Sequence, residues 1–131
     1  MKRKRFLLLD GRSGRYWLRK LDHVVKILSG ELIVKSAEQK DKLDWHNYDF
    51  VILDAGTIDN ISETLEEIRS KNKAIKAIVV SSAPMWDDAR EAILAGAVDY
   101  LRKESDIMYL KQALTKILQI VDPKNNTAGG H

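Results

Sequence analysis

Phe50-Val51-Ile52-Leu53-Asp54 is an unbroken apolar run that ends in a carboxylate. Three other stretches of the chain repeat the design. Phe6-Leu7-Leu8-Leu9 ends in Asp10, and Ala77-Ile78-Val79-Val80 ends in Ser81. Val98-Asp99-Tyr100-Leu101 is followed closely by Lys103. Each run has the length of a strand and too few polar residues to lie half in water. Buried parallel strands read this way. In open α/β sheets the ligand sits beyond the carboxyl ends of such strands. The carboxylates of Asp10 and Asp54, the Ser81 hydroxyl and the Lys103 ammonium are therefore expected along one edge. That set suits a phosphoryl group, with carboxylate as acceptor or metal ligand, and hydroxyl and ammonium as oxygen binders.

The segments between these runs carry helical periodicity, so strand and helix alternate and a parallel sheet covered on both faces follows. The first helix follows Ser13-Gly14, with Leu18, Leu21, Val25 and Leu28 as its core face and Gly30 as its stop. Glu31 to Lys35 is short and partly polar, as an edge strand should be. A second helix is placed within Ala37 to Trp45, anchored by Leu43 and Trp45. Asn60-Ile61-Ser62-Glu63 reads as a capping box opening a third helix with the stripe Ile61, Leu65 and Ile68. The fourth helix begins after Pro84 and runs through Ala89, Ala92 and Ile93 to Gly96, and is short of large anchors. The fifth takes Ser105 as its N-cap. It buries Ile107, Leu110, Leu114, Ile117 and Val121, and leaves Met108, Tyr109, Gln112, Lys116 and Ile120 toward other faces. Pro123 ends it. Residues 1–122 are read as one domain and 123–131 as a flexible tail or linker remnant.

At 131 residues the chain can bury a substantial core. Its formal net charge is +3, much of it from Lys2, Arg3, Lys4 and Arg5, which read as a solvated terminus. Elsewhere basic and acidic residues alternate along the helices, so direct nucleic-acid binding is not expected. There is no cysteine, hence no disulfide framework or thiolate metal site. No stretch has the length of a membrane span, and the apolar run after Arg5 is too short for a signal peptide. A cytoplasmic protein without membrane association is the expectation. His23 and His46 show no metal-ligand spacing.

Asp49 through Asp54 (DFVILD), Ala77 through Ser82 (AIVVSS) and Ala95 through Lys103 (AGAVDYLRK), in this order and spacing, resemble the receiver domains of two-component response regulators. The likeness covers Arg5 to Val121. It implies a flavodoxin-like (βα)5 fold, a doubly wound parallel five-stranded sheet of order 2-1-3-4-5. It implies that Asp54 is the phosphoacceptor, Ser81 the switch hydroxyl, Lys103 the phosphate contact and Tyr100 the aromatic switch. A carboxylate nucleophile gives an acyl phosphate. The resemblance also implies Mg²⁺, held by Asp10, Asp54 and the Gly56 backbone carbonyl, an ion that takes one or two carboxylates and keeps several waters. The partner would be a histidine kinase or phosphotransfer protein. The fourth helix, fifth strand and fifth helix would form the output face, with a homodimer as one use of it. Such a domain is not an enzyme, beyond promoting its own phosphorylation and dephosphorylation.

The departures are specific. Asp10 aligns with the first of two adjacent acids, and Gly11 stands where the second is expected. Losing even an outer-shell partner costs roughly ten- to a hundredfold in metal affinity, so weak Mg²⁺ binding is expected. Arg12 could supply a fixed cation instead. Glu104 follows the lysine where proline is customary, which loosens the placement of Lys103. The loop Ala55-Gly56-Thr57-Ile58-Asp59 lacks proline and is expected to be freer. Gly56 and Ala83 offer no side chain to orient a water, so a phosphorylated state would be long-lived. Three readings compete: a phosphorylated receiver, a phosphorylation-independent pseudo-receiver acting as an interaction or dimerisation module, and a small flavodoxin-like binding protein or enzyme. Gly11 discriminates the first two. The third lacks a Gly-rich phosphate loop, since Gly11-Arg12-Ser13-Gly14 is too short and too basic.

Overall fold

The apolar runs line up side by side in one sheet. In the computed structural model the strands are β1 (Lys4–Asp10), β2 (Gly30–Ser36), β3 (Phe50–Asp54), β4 (Lys76–Ser81) and β5 (Asp99–Arg102). All neighbours are parallel, in the order β2-β1-β3-β4-β5. The helices are α1 (Arg15–Ile27), α2 (Ile61–Lys71), α3 (Trp86–Leu94) and α4 (Ile107–Ile120). The structure describes residues 3–10, 14–104 and 106–120, apart from the side chains of Asp10 and Ile120. Gly11, Arg12, Ser13, Ser105, Val121 and the tail thus lie outside the described residues, as do the domain limits drawn through 122–131.

Every residue of β3 is buried because helices cover both sheet faces. On one face Phe6, Leu8, Phe50, Ile52 and Ile78 pack against Trp17, Leu21 and Val24 of α1 and Leu110, Leu114 and Ile117 of α4. The rings of Phe6 and Phe50 stack there with centroids 4.6 Å apart. On the other face Leu7, Leu9, Val51, Leu53 and Val79 meet Leu65 and Ile68 of α2, Ala92 of α3 and Trp45. Each fully buried Leu or Ile contributes roughly 1.5–3 kcal/mol, so the sheet is a rigid platform for whatever its ends carry.

Several local expectations change. The segment expected to hold the second helix forms two 3-10 turns instead, Ala37–Lys42 and Trp45–Asn47. Leu43 and Trp45 are two positions apart, a spacing that cannot place both on one α-helical face. Ser36 and Gln39 form a capping box at the first turn. The Trp45 indole N–H donates to the Lys40 carbonyl at 3.1 Å. Lys40–Glu67 and Asp41–Lys71 ion pairs then tether the turn to α2.

In α1 the buried face is Trp17, Leu21, Val24 and Val25, while Leu18 and Leu28 are only partly buried. Its end is set by Ser29, a left-handed residue at φ 61°, and not by Gly30. Gly30 serves packing: a Cβ there would lie 2.9 Å from both Phe6 Cε1 and Val25 Cγ1. Asn60 caps α2 as expected, accepting from the Glu63 N–H at 3.0 Å. At the start of α4 the Tyr109 N–H donates to Asp106 Oδ1 at 2.8 Å, so Asp106 supplies that cap. Ile107, expected in the core stripe, is exposed. In α3 only Ala92 is buried, and Ile93 stays 47% exposed. Among the described residues no helix is long and apolar enough to cross a membrane.

Candidate functional site

The strand order reverses between β1 and β3, which opens a crevice beyond their carboxyl ends. Asp54 ends β3 at that point, one step beyond the Leu9–Leu53 register pair, so the backbone positions of Asp10 and Asp54 are neighbours. Asp54 is buried, its side chain only 2% exposed. A carboxylate there needs partners. Its Oδ1 accepts from the Gly56 N–H at 2.9 Å. Its Oδ2 accepts from Lys103 Nζ at 2.5 Å.

The loop after Asp54 is less free than its composition suggests. The N–H groups of Thr57 and Ile58 both donate to the Asp54 carbonyl, and the Thr57 hydroxyl donates to it as well. Ile58 is buried against the core and pins the turn.

Lys103 reaches Asp54 from the turn after β5, with its side chain 13% exposed. The Lys103 N–H donates to the Ser81 carbonyl at 2.9 Å. The end of β4 thereby sets the start of that turn. Ser81 is buried at the end of β4, and its hydroxyl accepts from the Ala83 N–H at 3.2 Å. Tyr100 is partly buried on the α3 side of the sheet. With Ser81, Gly56, Asp88 and Ala92 it lines a cavity of about 440 Å³ between the loop after β3 and α3. Ser81 and Asp54 are thus both at strand ends, with Lys103 joining them and Tyr100 lining the same cavity as Ser81.

Among the described residues no three His, Asp or Glu side chains gather as a metal cluster. The hard oxygen donors present at the site are the Asp54 carboxylate, with the Gly56 backbone two residues on and the Asp10 position alongside. Oxygen-only ligands with few carboxylates fit Mg²⁺, which keeps waters, better than a softer ion. The Asp10 side chain lies outside the described residues, as does Gly11.

Two contacts had no sequence signal. Lys20 Nζ, from α1, donates to the Lys103 carbonyl at 2.9 Å. The Ser82 hydroxyl donates to Glu104 Oε2 at 3.1 Å and links the loops after β4 and β5. Both join residues far apart in the chain, so no local pattern could reveal them.

Comparisons with known proteins bear on the fold. The structure superposes on a response regulator from Thermotoga maritima with a TM-score of 0.78, covering 90% of this chain and 99% of that one at 21% identity. The fold is that of a response-regulator receiver domain. A CheY-like receiver domain protein from Methanospirillum hungatei gives a TM-score of 0.74, at 19% identity over 90% of this chain and 95% of that one. A further receiver-fold neighbour is an atypical orphan response regulator described as having a phosphorylation-independent mechanism. Its TM-score is 0.67 at 22% identity, over 82% of this chain and 89% of that one.

Among curated sequences, the transcriptional regulatory protein ZraR of Salmonella typhimurium is 37% identical over 73 residues, or 54% of this chain. MalR of Bacillus subtilis is 35% identical over 71 residues, or 53% of this chain. The matched stretch is 16% of ZraR and 30% of MalR. No family model matches the chain. On the receiver fold Asp54, Ser81 and Lys103 occupy the carboxyl edge of the sheet, which is the edge the strand-end pattern predicts.

Proposed function

We propose that this chain is a phosphoacceptor receiver that takes a phosphoryl group on Asp54 from the phosphohistidine of a kinase or phosphotransfer protein. The observation that carries the reading is the buried Asp54 carboxylate held by the Lys103 ammonium, with Ser81 at the end of the neighbouring strand. An Asp54 oxygen attacks phosphorus, the P–N bond to the donor imidazole breaks, and the imidazole leaves with the electron pair. Lys103 offsets charge on the phosphoryl oxygens, and the Ser81 hydroxyl turns from the Ala83 N–H to bind one of them. Mg²⁺ held by Asp10, Asp54 and the Gly56 carbonyl would neutralise further charge, weakly because Gly11 contributes no acid. The inward movement of Ser81 draws on the loop before α3, and Tyr100 follows into the cavity behind it. The output face is α3, β5 and α4, where Met85, Trp86, Leu94 and Met108 are exposed. It would take a partner protein or a second copy of the chain.

Gly11 favours a second reading, in which the same face acts without phosphate as an interaction module. Treatment with acetyl phosphate and Mg²⁺, followed by mass analysis and phosphate-affinity electrophoresis, separates the two. The first reading expects one phosphate on the wild type and none on Asp54→Asn. Phosphate at another residue, or none with any donor and metal, leaves the second.

A further inference from the structure

Lys103 can act on a phosphoryl group only if its long side chain is aimed. A lysine held in one rotamer forfeits up to about 2 kcal/mol of side-chain entropy, so the groups that aim it matter. The turn that carries it is fixed at both backbone groups of Lys103. Its N–H is held by the Ser81 carbonyl at 2.9 Å, and its C=O by Lys20 Nζ at 2.9 Å. The second contact spans 83 positions of sequence and ties α1 to the turn after β5.

The same side chain also helps to form a platform. The Trp17 ring has Lys20 Nζ at 5.6 Å and Lys103 Nζ at 5.8 Å from its centroid. Cations within about 6 Å of an indole are attracted to its face. Trp17 is 5% exposed. Its Nε1 is the buried side-chain polar atom that lacks a hydrogen-bond partner among the described residues. An orphaned buried donor costs about 1–3 kcal/mol, which an apolar ring such as phenylalanine would avoid. An indole face is also a better cation binder than a phenyl ring.

Resting on the phosphoacceptor reading, we infer that Lys20 is a positioning residue: it clamps the Lys103 carbonyl and, with Trp17, holds the Lys103 ammonium on Asp54. The contact Lys20 makes is with the backbone of Lys103, whose ammonium is the group on Asp54. Its effect passes through the Lys103 carbonyl.

The test compares Lys20→Met, which keeps the aliphatic stem on Trp17 but cannot donate, with Lys20→Arg, which can. Phosphorylation of the full chain by acetyl phosphate with Mg²⁺ should slow about tenfold in Lys20→Met, the scale of a catalytic group displaced by well under 1 Å. Lys20→Arg should recover most of the rate, and the melting temperatures should stay within a few degrees of the wild type. In parallel, ¹⁵N NMR of the lysine ammonium groups should show the Lys103 signal shifted or broadened in Lys20→Met and restored in Lys20→Arg. An unchanged rate in Lys20→Met overturns the inference. So does a slower rate with an unchanged Lys103 signal, or a loss that Arg does not rescue. If the wild type takes no phosphate, the phosphoacceptor reading fails on its own, and the NMR comparison still decides whether Lys20 positions Lys103.

Discussion

Replacing Lys103 by methionine should destabilise the domain far more than neutralising its partner by Asp54→Asn. The two side chains form one ion pair, but their burial is unequal: Asp54 is 2% exposed and Lys103 13%. In Lys103→Met the carboxylate keeps the Gly56 N–H and loses the Lys103 ammonium. Removing one partner of a buried pair costs about 3–5 kcal/mol, because the other charge stays in place without water. The lower end applies here, since Asp54 sits at a sheet edge and the apolar stem of methionine still covers Trp17. Asp54→Asn leaves the Gly56 contact available to the amide oxygen, and lets the Lys103 ammonium turn toward solvent. That change should cost about 1 kcal/mol or less, the net worth of a typical hydrogen bond.

The double variant Asp54→Asn/Lys103→Met removes both charges and should recover most of the loss seen in Lys103→Met. Urea denaturation of the four proteins, analysed as a double-mutant cycle, gives the coupling directly. A loss of about 3 kcal/mol should appear in thermal scans as a fall on the order of 10 °C. If Lys103→Met melts within about 2 °C of the wild type, the pair is not a dry one and the reasoning fails. It fails equally if Asp54→Asn is as damaging as Lys103→Met.

Four further outcomes are expected. Ser29→Gly should raise stability by about 0.5–1 kcal/mol in urea titrations, because Ser29 holds φ 61° where a side chain is strained. Gly30→Ala should lower it by about 1–3 kcal/mol, because the new methyl would press on Phe6 and Val25. Gly11→Asp should strengthen Mg²⁺ binding at least tenfold by calorimetric titration; equal affinity in both proteins would show that position 11 is not beside the metal. Met108→Ala and Tyr109→Ala, both exposed on α4, should weaken self-association or partner capture in sedimentation and pull-down assays. Phosphorylation of Asp54 should be unaffected by either, and an interaction that follows α1 instead would move the output face.

The strand framework was legible from composition alone. Runs such as Phe50–Leu53 are apolar on both faces, which only a doubly covered parallel sheet can satisfy, and their terminal polar residues must then share one edge. That logic puts Asp54, Ser81 and Lys103 along one edge, and Asn60 is readable as a cap because capping is local. The second helix was not legible, since the sparse anchors Leu43 and Trp45 fit an amphipathic helix no better than two 3-10 turns. The turns won through contacts to α2 and to the Lys40 carbonyl, made by residues distant along the chain or by the turn itself. Trp17 and Val24 were missed because the first helix offers two overlapping apolar stripes, and only docking against Phe6, Phe50 and α4 selects between them.

What the sequence by itself determined, then, is the succession of the five strands, the four helices other than the one expected between β2 and β3, and the side chains at the strand ends, because these follow from periodicity and side-chain type over short spans. Only the tertiary structure decided how that chemistry is held. The partners of Lys103 come from β3, β4 and α1, and the Ser82–Glu104 link joins two separate loops. The physical reason is that a hydrogen bond depends on distance in space, and separations of 22 to 83 residues leave no imprint on local pattern.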